Sequence, residues 1–109
     1  MHINDYHAHI YYNKDTLLKA KELVQVISEK FDVEIGKMHE KPVGPHPMWS
    51  CQILFTPNQF SLITQWLIIN RNGLTIFLHA NTSNDLLDHT EHAIWMGEIV
   101  PLDLSIFEK

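Results

Sequence analysis

Asp5-Tyr6-His7-Ala8-His9-Ile10-Tyr11-Tyr12 decides how this chain is read. Aromatic and β-branched residues dominate it, with no glycine or proline, so it reads as a strand. Side chains alternate faces along a strand. Tyr6, Ala8, Ile10 and Tyr12 therefore share one face, and Asp5, His7, His9 and Tyr11 the other. Two imidazoles two residues apart on one face can converge on a single metal ion at about 2.0–2.1 Å from each nitrogen. Taken alone, the same stretch also fits a half-exposed strand with two solvated histidines.

Downstream, Asn13 and Asp15 offer helix caps, and Leu17, Ala20, Val24, Ile27 and Phe31 recur at helical spacing. Residues 32–38 alternate as a short second strand. His39 to Pro47 is a loop stiffened by Pro42, Pro45 and Pro47, in which His46 precedes a proline and is held extended. Met48 to Phe55 is a third strand, with Trp49, Cys51, Ile53 and Phe55 on its apolar face. Thr56-Pro57-Asn58-Gln59 starts a second helix, lined by Phe60, Ile63 and Leu67 and ended by Asn72-Gly73. Leu74 to Ala80 is a fourth strand, with Leu74, Ile76 and Leu78 toward the core and Thr75, Phe77 and His79 on the other side.

The order β-α-β-β-α-β predicts an α+β, ferredoxin-like sandwich with a four-stranded sheet, both helices on one face, and a C-terminal extension over residues 81–109. Residues 1–109 are expected to form one domain, the tail covering the sheet edge or its open face. With the first and third strands placed side by side and parallel, His7, His39, His46 and His79 are expected at one edge of the sheet. The tail leaves from His79 and can carry His89, Glu91 and His92 to the same place.

Composition narrows the function classes. At 109 residues, with 45% hydrophobic and 19% charged, the chain has the make-up of a soluble globular domain. A net charge of −5 and a single arginine, Arg71, argue against a nucleic-acid surface. No apolar run is long enough to span a bilayer. One cysteine, Cys51, and a start that runs straight into a strand point to the cytoplasm without a leader. Eight dispersed histidines are the unusual feature. Phe77 and Leu54 on the open face suggest cover by the tail or by a second subunit, hence a homodimer.

Tyr6-His7-Ala8-His9-Ile10-Tyr11-Tyr12, Lys41-Pro42-Val43-Gly44-Pro45-His46-Pro47, Leu78-His79-Ala80-Asn81-Thr82 and Asp88-His89-Thr90-Glu91-His92-Ala93-Ile94-Trp95-Met96-Gly97 resemble, in order, the DOPA 4,5-dioxygenase family of pigment biosynthesis and its bacterial relatives. The resemblance implies a ferredoxin-like fold, non-haem Fe(II), and extradiol opening of a catechol such as DOPA by O2. Where the family usually has His-Pro-Asn-Thr-Gly, this chain has His79-Ala80-Asn81-Thr82-Ser83, a looser exit from the fourth strand. The resemblance carries over His7, His9, His46, His79, His89 and His92 as site candidates. Non-haem iron sites of this class commonly use two histidines and one carboxylate. The expected ligands are thus His7, His9 and His79, with Glu91 or Asp5 as carboxylate. His46, His89 and His92 are the expected catalytic groups, His46 for proton transfer. Phe77 and Tyr11 are the expected supports for the substrate ring. The rival readings are a non-enzymatic ferredoxin-like metal- or ligand-binding dimerisation module and a zinc hydrolase built on the same ligands.

Overall fold

A computed structural model describes residues 1–108. β1 (Asp5–Tyr12) leads to α1 (Leu17–Lys30), β2 (Glu34–Ile35) and β3 (Trp49–Phe55). A 3-10 turn (Pro57–Gln59) opens α2 (Phe60–Asn70), followed by β4 (Ile76–Asn81), the short α3 (Asp85–Asp88) and β5 (Ala93–Met96). A last 3-10 turn spans Leu104–Phe107. No helix among the described residues is long and apolar enough to cross a membrane.

The sheet runs β2-β3-β1-β4-β5 and every pairing is antiparallel. This gives the expected α+β architecture with one strand more than the sequence suggested. β5 comes from the tail and extends the β4 edge, with Phe77 opposite Trp95. The expected second strand shrinks from residues 32–38 to the exposed pair Glu34–Ile35.

β1 and β3 are antiparallel, not parallel as expected, with Tyr6 opposite Phe55 and Tyr12 opposite Trp49. The crossover through α1 brings β2 back in the direction of β1, and the return into β3 reverses it. The start of β1 therefore lies beside the ends of β3 and β4, while His39 and His46 approach from the opposite end of the sheet. They reach the site only because residues 39–48 fold across the face: His39 N–H donates to the Ser50 carbonyl, and Val43 bridges to His46.

The core lies between one sheet face and the two long helices. Ala8, Ile10, Cys51, Ile53, Ile76 and Leu78 from the strands meet Ala20, Leu23 and Ile27 of α1 and Ile63 and Leu67 of α2. Each large aliphatic buried there contributes about 1.5–3 kcal/mol. That asymmetry leaves the opposite face free for polar groups. It is nevertheless covered, with Phe77 0%, His79 1% and His9 5% exposed. Residues 39–48 and the tail form the roof, fastened where Asp103 N–H donates to the Pro45 carbonyl at 2.8 Å. Phe77 is thus covered by its own chain, which removes it as an argument for a second subunit.

Candidate metal centre

Strand alternation and register together build the centre. His7 lies directly opposite His79 across the β1–β4 ladder, and His9, two residues on, projects from the same face. One ligating nitrogen from each of these imidazoles falls within 4.8 Å of the others. No other such group of His, Cys, Asp and Glu donors occurs among the described residues. The Nε2 atoms of His9 and His79 are 3.1 Å apart. Two nitrogens bound at right angles to one ion at 2.1 Å would be about 3.0 Å apart, so this pair already has the spacing of neighbouring ligands. The Nδ1–H of His79 donates to the Ala80 carbonyl at 3.0 Å. A neutral His79 ring therefore has its lone pair on Nε2, and a backbone carbonyl behind a ligand is the usual way to hold that orientation.

Electrostatics agree with the geometry. Burial holds His79 down to about 3 and pushes His9 well below the usual histidine range, helped for His9 by the neighbouring imidazoles of His46 and His79. Burial also lowers His7, partly offset by Asp5. All three rings are neutral at physiological pH, as metal binding requires. The donor set fits a divalent transition ion, with three imidazoles and no carboxylate. Asp5, one candidate carboxylate, accepts from Asn81 Nδ2 at 2.6 Å instead.

Around this trio, His46 places its ring 4.1 Å from that of His9, and its Nδ1 lies 2.7 Å from the hydroxyl of Tyr11. Burial lowers His46 to about 4. His89, just past α3, packs 4.2 Å from the ring of His79 and donates from Nδ1 to the Asp85 carbonyl at 2.7 Å. Phe107 in the tail stacks on His89 at 4.5 Å. A cavity of about 310 Å³ opens over these groups, bounded also by Ser50, Gln52, Asn81 and Asp85.

Two expected site residues lie elsewhere. Glu91, proposed from sequence as a ligand, and His92, proposed as catalytic, line a separate cavity of about 370 Å³ with Tyr6, Phe60, Leu78 and Ala80. Those partners belong to the helix-covered side of the sheet. The reason is local. Asp88 is buried, accepts from Thr82 N–H and Oγ1–H, and pairs with His92 Nδ1 at 2.8 Å. That anchor, with Ala80 N–H donating to the His92 carbonyl, ties the segment before β5 down on the far side of the edge. Phe77 and Tyr11, expected to support a substrate ring, sit behind the imidazoles and do not border the cavity. Phe107 does, and sequence reading missed it. Its one local signal is Asp103, whose carboxylate accepts from Ser105 N–H to start the last turn.

Similarity to known proteins converges on one class of enzyme. The chain is 42% identical to an uncharacterized 21.2 kDa protein of Botryotinia fuckeliana, over 93% of this chain and 62% of the relative. It is 28% identical to the DOPA 4,5-dioxygenase of Amanita muscaria, over 94% of this chain and 49% of the relative. The chain thus spans between about half and three-fifths of these relatives. A crystal structure from Nostoc punctiforme, described as a "putative dioxygenase", superposes with a TM-score of 0.93 at 34% identity, covering 94% of this chain and 90% of that one. Residues 6–106, which include every histidine of the cluster, match the model of one family. The chain belongs to the Dopa 4,5-dioxygenase family.

Proposed function

We propose that this protein opens the ring of a catechol such as DOPA with O2, in an extradiol reaction at a non-haem Fe(II) held by His7, His9 and His79. The observation that carries this reading is the neutral three-imidazole cluster at the floor of a roofed cavity, in a chain of this family. Fe(II), when bound, supplies the Lewis acidity and redox chemistry that coupling a catechol to O2 demands. Both oxygen atoms enter the ring-opened product, so no external reductant is needed.

The protein's own groups do the rest. Three neutral imidazoles bring no negative charge, so the site favours an anionic oxygen ligand such as a catecholate. His46 and His89 stand on either side of the ligand trio and move or hold the catechol protons. Phe107 and the roof loop wall the cavity and narrow its opening to bulk water. The chain acts as one dioxygenase domain, with Ile106 and Phe107 near the end of the tail helping to cover the site, and its single buried thiol, Cys51, suits a reducing cytoplasm.

The test is oxygen uptake by Fe(II)-loaded protein given DOPA. Uptake equal to the catechol consumed, with a yellow ring-opened product, is the expected result. Uptake that is absent with every catechol tried, or that persists equally with Zn(II), would overturn the reading.

A further inference from the structure

We infer that Tyr11 is a positioning residue that fixes the tautomer of His46, making that ring a hydrogen-bond donor toward substrate, while His89 is fixed in the opposite tautomer as an acceptor. This rests on the proposed catechol chemistry for its purpose, but not for its geometry.

Tyr11 is 1% exposed, and among the described residues its hydroxyl has one hydrogen-bond partner, Nδ1 of His46 at 2.7 Å. Two arrangements of that bond are possible. If His46 donated from Nδ1, the phenol proton would have no acceptor in a buried site, which leaves a desolvated donor unpaired. If Tyr11 donates, both groups are satisfied and the proton of a neutral His46 ring moves to Nε2. Among the described residues, only Thr64 Oγ1 is a buried side-chain polar atom without a partner. Native structures rarely leave such donors orphaned, which favours the second arrangement. The Nε2–H of His46 then has no protein partner, in a ring that borders the cavity.

His89 is set the other way. Its Nδ1 faces the Asp85 carbonyl at 2.7 Å, and a carbonyl can only accept, so Nδ1 carries the proton. When the ring holds one proton, Nε2 presents a lone pair. Two imidazoles bordering one cavity therefore offer opposite functions: His89 Nε2 takes a proton from the catechol hydroxyl, and His46 Nε2–H hydrogen-bonds to the oxygen where negative charge develops. The proton is conserved in this scheme: the hydroxyl O–H bond breaks, an N–H bond forms on His89, and His46 keeps its proton.

The experiment is 15N–1H NMR of the histidine rings in metal-free protein at neutral pH, for the wild type and Tyr11→Phe. The expected wild-type result is a proton on Nε2 of His46 and on Nδ1 of His89. In Y11F the two His46 nitrogens should shift toward each other as tautomers interconvert, while His89 stays as it was. A wild-type His46 proton on Nδ1 overturns the inference without any variant, and so do unchanged His46 nitrogens in Y11F. In the iron-loaded enzyme, Y11F should lose about 10–100-fold in kcat, the usual effect of removing such a supporting partner, with KM and iron content unchanged. Loss of iron would mean that Tyr11 supports the ligands instead of His46, and would also overturn it. The ring spectra stand whether or not the wild type consumes oxygen, so a failure of the catechol reading is separately visible.

Discussion

Metal-free protein should unfold with mild acid because its histidines are buried without charge. Burial pushes His46 down to about 4 and His79 down to about 3 in the folded chain, against about 6.5 when unfolded. A base with a depressed folded pKa binds fewer protons folded than unfolded. Stability is therefore full above about pH 6.5, falls as pH drops through that value, and goes on falling until the folded pKa is reached. At pH 5 both folded rings are still neutral, and each has lost 1.5 pH units of linkage. At 1.36 kcal/mol per unit that is about 2 kcal/mol each, or about 4 kcal/mol together. Against a typical total of about 5–15 kcal/mol, this is a large fraction. It corresponds to a fall of about 15–30 °C in Tm for a domain of this size. Thermal unfolding followed by circular dichroism in chelator, at pH 7.5 and 5.0, measures it. Stopping at pH 5 keeps carboxylates such as Asp88 out of the window: burial raises its folded pKa, but the hydrogen bonds from His92 and Thr82 lower it overall. A Tm that moves by less than about 5 °C would refute the claim that these imidazoles are buried and neutral.

The ligand assignment separates cleanly in metal analysis. His79→Ala should lose most bound iron, because it removes one of three clustered nitrogens, whereas Glu91→Gln should retain it, since Glu91 lines the other cavity. Iron retained in H79A, or lost in E91Q, would reverse that assignment. Phe107→Ala should raise KM for DOPA several-fold with iron unchanged, because it strips the ring stacked on His89 from the cavity wall. An unaltered KM would show that the tail is cover alone.

How much of this was legible in the sequence depends on the range of the interaction that decides each feature. Alternation is local, so the faces of Asp5–Tyr12 and the placement of His7, His9 and His79 on one side followed from a period of two. Strand direction is not local. Reading the first and third strands as parallel placed His46 near the other histidines for the wrong reason, since it arrives beside His9 from the far end of the sheet on a folded loop. Glu91 and His92 lie away from the cluster for a similar cause. Their spacing from His89 says nothing about which side of the β4 edge the chain passes. That is set by Asp88 gripping Thr82 six residues earlier and by the pairing of Ala93 with His79. Phe107 was invisible because its partner, His89, is distant in sequence and no periodicity links them.

These placements have a chemical consequence. With Glu91 on the other side of the sheet and Asp5 bonded to Asn81, the candidate cluster contains histidine alone. Among the residues lining the cavity, the one that carries a carboxylate is Asp85, at the start of α3. A two-histidine, one-carboxylate centre would bring a negative charge to an ion, whereas three imidazoles would bring none. On the proposed catechol reading, charge balance then comes from the substrate, since a catechol that has lost its protons provides it at the oxygens that are to react. Substrate binding and proton removal become a single linked event in such a site. That linkage gives two oppositely protonated imidazoles, one accepting and one donating, a reason to stand on either side of the same cluster.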